Sequence, residues 1–278
     1  MFPVLFESKY FIIHTYWLFL SLAFIVFIYS VITLSHKEGL KIQFLSDNAL
    51  KFFFWSFIGA RIVGIIENYY IYFSEFSIHS LARIFFIWDK GLNIWGAILG
   101  FLIIFFITCR KEEQDFWKWL DILVPSFLIA MAIRSLGAFF DGINYGNETD
   151  LPWGVNFEKP AIKYTVPIHP TQIYSFLYCS TLAGIYLQLS KKMGTLREKN
   201  LSGLFALIFS FAFFILAFLE QFLRGDDVLM LAYLRVPQII MGFMVIFTGV
   251  IIYLRYNKGK SKKPKINRTK HGIHKNNA

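Results

Sequence analysis

Long, uninterrupted apolar runs constrain this chain more than any other feature. A helix that crosses a bilayer needs about 20 mostly apolar residues, because the hydrocarbon core is about 30 Å thick. Seven runs of this kind lie near 11–34, 50–73, 92–109, 116–140, 171–189, 201–223 and 236–254. We therefore predict an all-α polytopic membrane protein with seven transmembrane helices and an outer loop region between spans four and five.

The composition supports this prediction. Of the 278 residues, 56% are hydrophobic, and they cluster in blocks rather than at the spacing of a soluble helix or strand. The first block follows no basic segment and has no small-residue cleavage site, so we expect it to remain as a spanning helix. Cys109 and Cys179 lie in or beside apolar blocks without metal-binding spacing, which predicts free cysteines.

The basic residues predict the orientation. Most of the 28 Lys and Arg residues lie in the loops after spans one, three and five, and from Arg255 onward. Such loops stay in the cytoplasm, so the N-terminus is expected outside and the C-terminus inside. Residues 1–256 are predicted to form the transmembrane domain, and 257–278 a basic, disordered tail. A tail of this kind contacts anionic lipid, and we expect no nucleic-acid partner for the net charge of +10.

A polar loop connects the fourth and fifth apolar runs. Residues 133–154 leave the membrane through Arg134 and Asp141 and continue with glycine and polar residues, and 166–174 return through His169 and Pro170. Irregular backbone at membrane depth must be shielded by protein or must line water. This loop is therefore the predicted location of the chemistry.

Two arginines, Arg61 and Arg134, lie deep within predicted spans. A charge at the centre of a membrane helix costs about 3 kcal/mol on insertion scales, so it marks a functional site or an ion pair by default. Two interpretations stay open. The arginines hold the bundle together, with Glu67 or Asp141 as partners, or their planar guanidinium groups bind a phosphate.

Three other features have structural explanations beside functional ones. The sequence Arg224-Gly225-Asp226-Asp227 fits a helix end with a C-terminal glycine, or part of a polar site. His169, which precedes Pro170, fits a helix cap or a proton shuttle. The tryptophans near span ends are predicted to form an interfacial belt, namely Trp55, Trp88, Trp95, Trp117, Trp119 and Trp153.

Several short strings occur in an order typical of one family. Residues 149–154 read TDLPWG and residues 169–174 read HPTQIY. The other matching pieces are HTYW at 14–17, GAR at 59–61, NIWGAILG at 93–100, SLGAFFDGINYG at 135–146 and LEQFLRGDD at 219–227. The chain resembles the bacterial prolipoprotein diacylglyceryl transferases over nearly its whole length.

The resemblance implies an activity at the outer face of the bacterial cytoplasmic membrane. In that family, a diacylglyceryl group passes from phosphatidylglycerol to the lipobox cysteine thiol of a preprolipoprotein, and glycerol phosphate leaves. The expected partners are phosphatidylglycerol, the lipobox segment and membrane lipid. Neither a cofactor nor a metal is expected, and the protein is expected to be a monomer.

The resemblance also implies roles for individual residues. Cations on the phosphate stabilise the leaving group, and the candidates are Arg61, Arg134 and Arg224. A base must form the thiolate, and the candidates are His169 and Asp141. Headgroup oxygens are expected to be oriented by Tyr16, Asn144 and Gln172. Close approach of the loop backbone is expected at Gly146, with Gly142 and Gly154.

The chain departs from the family pattern at several polar positions. Trp95 stands where the family has a histidine, and Ser135 where it has its signature arginine. Arg134 lies one residue earlier, which is about 100° around a helix. A second hypothesis is therefore an inactive homologue that binds phospholipid or lipoprotein precursors. A seven-helix transporter is the third.

Overall fold

The structure is a computed structural model that describes residues 4–9, 12–73, 91–157, 162–190 and 202–261. The chain divides into two compact units, Phe2–Asp141 and Gly142–Ala278, with Met1 assigned to the second. We call them the N-terminal unit and the C-terminal unit and describe each by itself.

The N-terminal unit begins with a small antiparallel hairpin and continues with helices. The strands are β1 (Val4–Glu7) and β2 (Ile12–His14). The helices are α1 (Thr15–Lys37), α2 (Gln43–Asp47), α3 (Ala49–Glu67), α4 (Tyr69–Phe73), α5 (Ile94–Lys111) and α6 (Phe116–Asp141).

The C-terminal unit begins with the polar loop. Its helices are α7 (Thr171–Leu189), α8 (Leu204–Glu220) and α9 (Val236–Ser261). A short antiparallel hairpin, β3 (Met230–Leu231) and β4 (Leu234–Arg235), connects α8 to α9. Ala232 and Tyr233 at its turn have φ of 50° and 64°, the left-handed conformation that two-residue hairpin turns require.

Within the described ranges, five helices are long and apolar enough to cross a membrane: α1, α3, α5, α6 and the Val236–Asn257 part of α9. The protein is thus a mostly helical polytopic membrane protein, as predicted. Two of the seven predicted spans fall outside this group. The helix α8 is apolar but has only 17 residues, and α7, with 19 residues, is long enough but less apolar than the five.

Several predicted boundaries were wrong. The first spanning helix begins at Thr15 rather than at residue 11, because the apolar residues before it pair with β1. The second ends at Glu67 instead of 73, and Arg61 lies inside it without a break. The last helix continues to Ser261, past the predicted start of the tail, and residues 262–278 lie outside the described residues.

Glycines bring α3 and α5 into close contact. A Cβ atom added to Gly59 would collide with the carbonyl oxygen of Gly96, and one added to Gly100 with the carbonyl oxygen of Trp55. No hydrophobic driving force acts between helices in lipid, so their association depends on close van der Waals packing. Small residues permit this packing because they let the two backbones approach each other. The glycine of the GAR string therefore packs helices.

Aromatic side chains fill the core of the N-terminal unit. Trp119 is completely buried, with its ring centroid 5.5 Å from that of Phe44 and 6.3 Å from that of Phe105. The prediction that Trp119 belongs to an interfacial belt was therefore wrong, and Trp88 lies outside the described residues. Both cysteines are buried, and neither forms a disulfide among the described residues.

Candidate functional site

Backbone hydrogen bonds join the loop segment around Gly146 to the segment around His169 and to the residues that follow α8. The amide of Gly146 donates to the carbonyl of His169 (3.1 Å), and the amide of Asn147 donates to the carbonyl of Leu223 (2.8 Å). The segment around Gly146 thus lies between the His169 segment and the Arg224 segment. We call the side chains around this arrangement the C-terminal polar centre: Asn144, His169, Gln172, Glu220, Arg224, Asp226 and Arg235.

Two glycines are required for this close approach. A Cβ atom on Gly146 would collide with the carbonyl oxygen of His169, and one on Gly225 would collide with the carbonyl oxygen of Gly146. Gly225 donates its amide hydrogen to Tyr145 (3.0 Å), and α8 has already ended at Glu220. Gly225 is therefore a packing glycine of the polar centre and does not end the helix.

Arg224 is held by three side chains. Its Nε donates to Asp226 Oδ1 (2.9 Å), its Nη1 to Glu220 Oε1 (3.3 Å) and its Nη2 to Asn144 Oδ1 (2.6 Å). Arg235 also binds Asp226, through Nη2 (2.9 Å). Two guanidinium groups thus face two carboxylates in a largely buried cluster, and their formal charges cancel.

The pKa values in this cluster follow from the pairing. Burial by itself would raise the pKa of Asp226, but hydrogen bonding to Arg224 and the charges of Arg224 and Arg235 outweigh burial and lower this pKa. Burial likewise opposes the charged form of Arg224, but Asp226 and Glu220 outweigh it and raise the Arg224 pKa. Asp226 and Arg224 are therefore both ionised at neutral pH.

Glu220 connects α8 to α7. Its Oε2 accepts hydrogen bonds from Ser175 Oγ (2.5 Å) and from Tyr178 OH (2.9 Å), while Oε1 accepts from Arg224. Ser175 and Tyr178 were not among the predicted site residues. Their spacing of three residues, which places two hydroxyl groups on one face of an apolar helix, is the signal that was available.

The start of α7 is fixed to the loop. Thr171 Oγ1 donates to the carbonyl of Asn144 (2.6 Å), whose φ of 60° lies in the left-handed region that asparagine tolerates. Gln172 Nε2 donates to the carbonyl of Ile143 (2.7 Å). The side chain of Gln172 is 2% exposed, and its Oε1 has no hydrogen-bond donor among the described residues.

His169 is half-buried at the junction of the loop and α7. Its Nδ1 lies 3.2 Å from the hydroxyl oxygen of Tyr174, and that oxygen accepts a hydrogen bond from Trp153 Nε1 (2.8 Å). The side chain of Trp153 is exposed, as an interfacial tryptophan would be, but its indole nitrogen has this specific partner.

A groove of about 440 Å³ begins at Tyr174 and runs between α7 and α8. It is lined by Tyr174, Leu177, Tyr178, Thr181, Leu182 and Leu216. The lining is almost entirely apolar, so the groove can accept hydrocarbon next to the polar centre.

In the N-terminal unit, two predicted site residues meet. The guanidinium carbon of Arg134 lies 5.8 Å from the ring centroid of Tyr16, within the range of a cation–π interaction. Gly137, one turn after Arg134, permits contact with Phe19 and so brings α1 against α6. Among the described residues, Arg134 forms no hydrogen bond and no ion pair.

Ser135 occupies a different environment. It is 3% exposed, and its hydroxyl donates to the carbonyl of Met131 (2.8 Å). The position aligned with the signature arginine of the family therefore faces a packed side of α6, whereas Arg134 reaches Tyr16. Asp141, the last residue of α6, is half-buried.

Arg61 is buried, with 8% exposure, and its guanidinium carbon lies 5.4 Å from the ring centroid of Tyr72. Glu67, a predicted partner of Arg61 or Arg134, instead accepts a hydrogen bond from Asn93 Nδ2 (2.9 Å). Asn93 also caps α5, because its Oδ1 accepts from the amides of Trp95 (2.8 Å) and Gly96 (3.2 Å).

The structure thus brings the predicted site residues together in two groups. Arg134 and Tyr16 meet in the N-terminal unit, where Arg61 contacts Tyr72. The C-terminal polar centre and its backbone contain Asn144, Gly146, His169, Gln172 and Arg224. Within the described ranges, no three His, Cys, Asp or Glu side chains cluster as metal ligands would.

Fold and site together define a class: a polytopic membrane protein with arginines in its apolar helices and a hydrogen-bonded polar loop at helix ends. Residues 3–254 match the family described as prolipoprotein diacylglyceryl transferase, and the chain belongs to this family.

Similar proteins carry the name phosphatidylglycerol–prolipoprotein diacylglyceryl transferase. One from Cutibacterium acnes (strain DSM 16379 / KPA171202) is 32% identical, over 73% of this chain and 68% of that protein. One from Clostridium tetani (strain Massachusetts / E88) is 29% identical, over 90% of this chain and 96% of that protein. One from Pasteurella multocida (strain Pm70) is 24% identical, over 94% of both chains.

Proposed function

We propose that this chain transfers a diacylglyceryl group from phosphatidylglycerol to the cysteine thiol of a prolipoprotein. Membership of the family and the names of its relatives support a transferase of this kind. The observation that carries the proposal for this chain is Arg134, a guanidinium group beside Tyr16 with no carboxylate partner among the described residues. A membrane helix has little reason to keep such a costly charge without an anion to bind.

The reaction is a displacement at the glyceryl carbon. The cysteine sulfur forms a C–S bond as the C–O bond to phosphate breaks, and glycerol phosphate leaves with the electron pair. The thiol proton passes to a base, for which we propose His169 or Asp141. Cations near the phosphate lower the barrier because negative charge builds up on the leaving group.

The arginines divide between two tasks in this proposal. Arg134 and Arg61 bind the phosphate. Arg224 was predicted to do the same, and that stays a prediction; three side chains already accept hydrogen bonds from its guanidinium group, and two carboxylates balance its charge. Its first task is to hold the loop at Asn144 against the end of α8.

Polar groups of the loop and of α1 orient the headgroup. We assign Gln172 to a headgroup hydroxyl, because its buried Oε1 is an acceptor without a donor among the described residues. Tyr16 and Asn144 are proposed to contact the other headgroup oxygens. Gly146 contributes the close packing that keeps this loop in place.

A second candidate is an inactive homologue that binds phospholipid or lipoprotein precursors. The observation in its favour is that Trp95 and the buried Ser135 occupy positions where the resemblance implies a histidine and an arginine. Only the proposed enzyme would form the lipid-modified peptide, so an assay of product formation separates the two candidates.

We further propose the bacterial cytoplasmic membrane as the location, with seven spans, the N-terminus outside and the C-terminus in the cytoplasm. On this proposal α7 and α8 cross the membrane in addition to the five longer apolar helices, and the protein acts as a monomer. The basic loops and tail support the orientation.

The test uses the purified protein with radiolabelled phosphatidylglycerol and a lipobox peptide. We expect Arg134→Ala to lower product formation by about 100-fold or more, as removal of one transition-state donor does elsewhere. Arg134→Lys should recover only part of this activity, because lysine keeps the charge but not the planar guanidinium geometry. Arg110→Ala is the matched control, since Arg110 also stacks on an aromatic ring, 5.2 Å from the centroid of Phe106.

If the unchanged protein and Arg134→Ala both give no labelled peptide, the transferase proposal fails. Copurification of phosphatidylglycerol with the unchanged protein would then favour the binding protein.

A further inference from the structure

We propose that Trp153 is a positioning residue that acts through Tyr174 to hold neutral His169 with its ring hydrogen on Nε2. The consequence of this inference for the reaction rests on the proposed function, whereas its test does not require catalytic activity. It joins the TDLPWG and HPTQIY strings, which are separated in sequence, through their side chains.

The assignment follows from which atoms donate and which accept. An indole nitrogen only donates, so the Tyr174 oxygen accepts from Trp153 Nε1 (2.8 Å). The hydroxyl hydrogen of Tyr174 then needs an acceptor of its own. Among the described residues, the other polar contact of this hydroxyl is His169 Nδ1 at 3.2 Å. We assign Nδ1 as the acceptor, because this gives the Tyr174 hydroxyl hydrogen a partner within the protein, and a neutral imidazole then carries its one hydrogen on Nε2.

Both ends of this chain of hydrogen bonds are fixed by the backbone. The amide of His169 donates to Asn147 (2.9 Å), and its carbonyl accepts from Gly146 (3.1 Å). Two residues after Trp153, Val155 exchanges two backbone hydrogen bonds with Ile168, at 3.0 and 3.1 Å. The indole and the imidazole thus extend from neighbouring, paired segments, which keeps the phenol between them.

The consequence for chemistry is specific. A neutral His169 of this kind presents an N–H donor at Nε2, which suits a phosphate oxygen and stabilises developing negative charge. The same nitrogen has no lone pair free to take the thiol proton. Of the two bases proposed above, the thiol proton then falls to Asp141, and His169 acts as a hydrogen-bond donor to the lipid phosphate.

An interfacial tryptophan offers the competing explanation, and it makes a different prediction. An anchor in the lipid interface needs an aromatic ring with a polar edge but no particular partner. The tautomer of a neighbouring histidine would not depend on such an anchor. The proposal requires that dependence.

The test is nitrogen-15 NMR of the full chain, labelled on its histidine rings and solubilised in detergent. His169→Gln identifies the His169 signals among those of the six histidines. At about pH 8, where an ordinary histidine is neutral, the unchanged protein should show the hydrogen on Nε2. Trp153→Phe and Tyr174→Phe should each move His169 towards a mixture of tautomers.

Trp55→Phe is the matched control, because Trp55 is also a partly exposed tryptophan but has no hydrogen bond from its indole among the described residues. It should leave the His169 signals unchanged. A ring hydrogen on Nδ1 of His169 in the unchanged protein overturns the proposal. This readout does not depend on whether the variants fold. Identical signals in the unchanged protein and in a folded Trp153→Phe overturn it as well. Neither result requires catalytic activity, so failure here is separate from failure of the transferase proposal.

Discussion

At the scale of single residues, the predicted site arginines Arg134 and Arg224 have opposite electrostatic environments. Arg224 is surrounded by Glu220 and Asp226, so its charge is compensated. Arg134 contacts the ring of Tyr16 and has no carboxylate partner among the described residues. Glu220 and Asp226 lie within four residues of Arg224 in the sequence, whereas the contact between Arg134 and Tyr16 depends on how α1 and α6 pack.

The compensated cluster predicts acid sensitivity. The folded-state pKa of Asp226 is lowered, so its contribution to stability is fully present above its unfolded-state pKa of about 4. That contribution is lost as the pH falls through the lower, folded-state value. We expect the melting temperature in detergent to decrease once the pH is below about 4. The decrease, measured against each protein's own melting temperature near pH 6, should be smaller in Asp226→Asn.

Asp227→Asn is the control for this measurement. Asp227 pairs with Lys163 at 2.9 Å, but its side chain is 87% exposed, and exposed pairs contribute little. Asp227→Asn should follow the unchanged protein throughout. An Asp226→Asn variant with the full acid dependence would exclude Asp226 as its origin.

Gly146 gives a second prediction at this scale. Gly146→Ala places a methyl group against the carbonyl and Cβ of His169, so we expect a loss of about 1–3 kcal/mol in stability and a strong loss of product. Gly184→Ala meets no atom within 4 Å inside α7 and should be neutral or slightly stabilising. Circular dichroism melts and the lipid-transfer assay measure both effects, and equal behaviour of the two variants would contradict this account.

At the scale of elements, hydropathy predicted most helices but not their surroundings. The range of α7 was predicted correctly because Pro170 stops the preceding backbone from continuing as helix. The start of α1 was missed because Ile12 and Ile13 are as apolar in a strand as in a helix. Trp119 was misplaced for a related reason, since a tryptophan near a span end has the same sequence signature in the core as at the interface.

Some members of the C-terminal polar centre were predictable from the sequence, but their connections were not, and their roles stay predictions. The motif strings identified His169, Gln172 and Arg224, and the structure places them in one polar centre. The bond from Trp153 to Tyr174 depends on two segments meeting in three dimensions, which residue spacing does not encode. The same holds for the bond from Ser175 to Glu220.

Helix packing in the N-terminal unit provides a prediction at this scale. Gly96→Ala directs a methyl group at the carbonyl of Gly59 and the side chain of Val63, so α3 and α5 must separate. We expect a stability loss of about 1–3 kcal/mol. Gly242→Ala in α9 meets Phe218 at an ordinary contact distance of 3.5 Å and serves as the control. Thermal melts in detergent compare the two, and a smaller loss in Gly96→Ala than in Gly242→Ala would count against the packing role.

At the scale of the whole molecule, the proposed topology can be tested with single cysteines. Asp150→Cys lies in the exposed polar loop and Lys111→Cys at the end of α5, while Cys109 and Cys179 are buried. In intact cells, a membrane-impermeant thiol reagent should label Asp150→Cys only. Lys111→Cys should react after the membrane is permeabilised. Labelling of both in intact cells would contradict the proposed orientation.

On the proposed topology, in which α8 crosses the membrane, the shortness of α8 has a consequence for the surrounding lipid. Its 17 residues span about 26 Å, several ångströms less than a hydrocarbon layer of about 30 Å. A bilayer thins locally around a short spanning segment, which draws headgroups towards the level of Glu220. Vesicles made from shorter-chain phospholipids should therefore support faster transfer than thick ones, so that membrane thickness itself becomes a determinant of how readily the lipid substrate is presented.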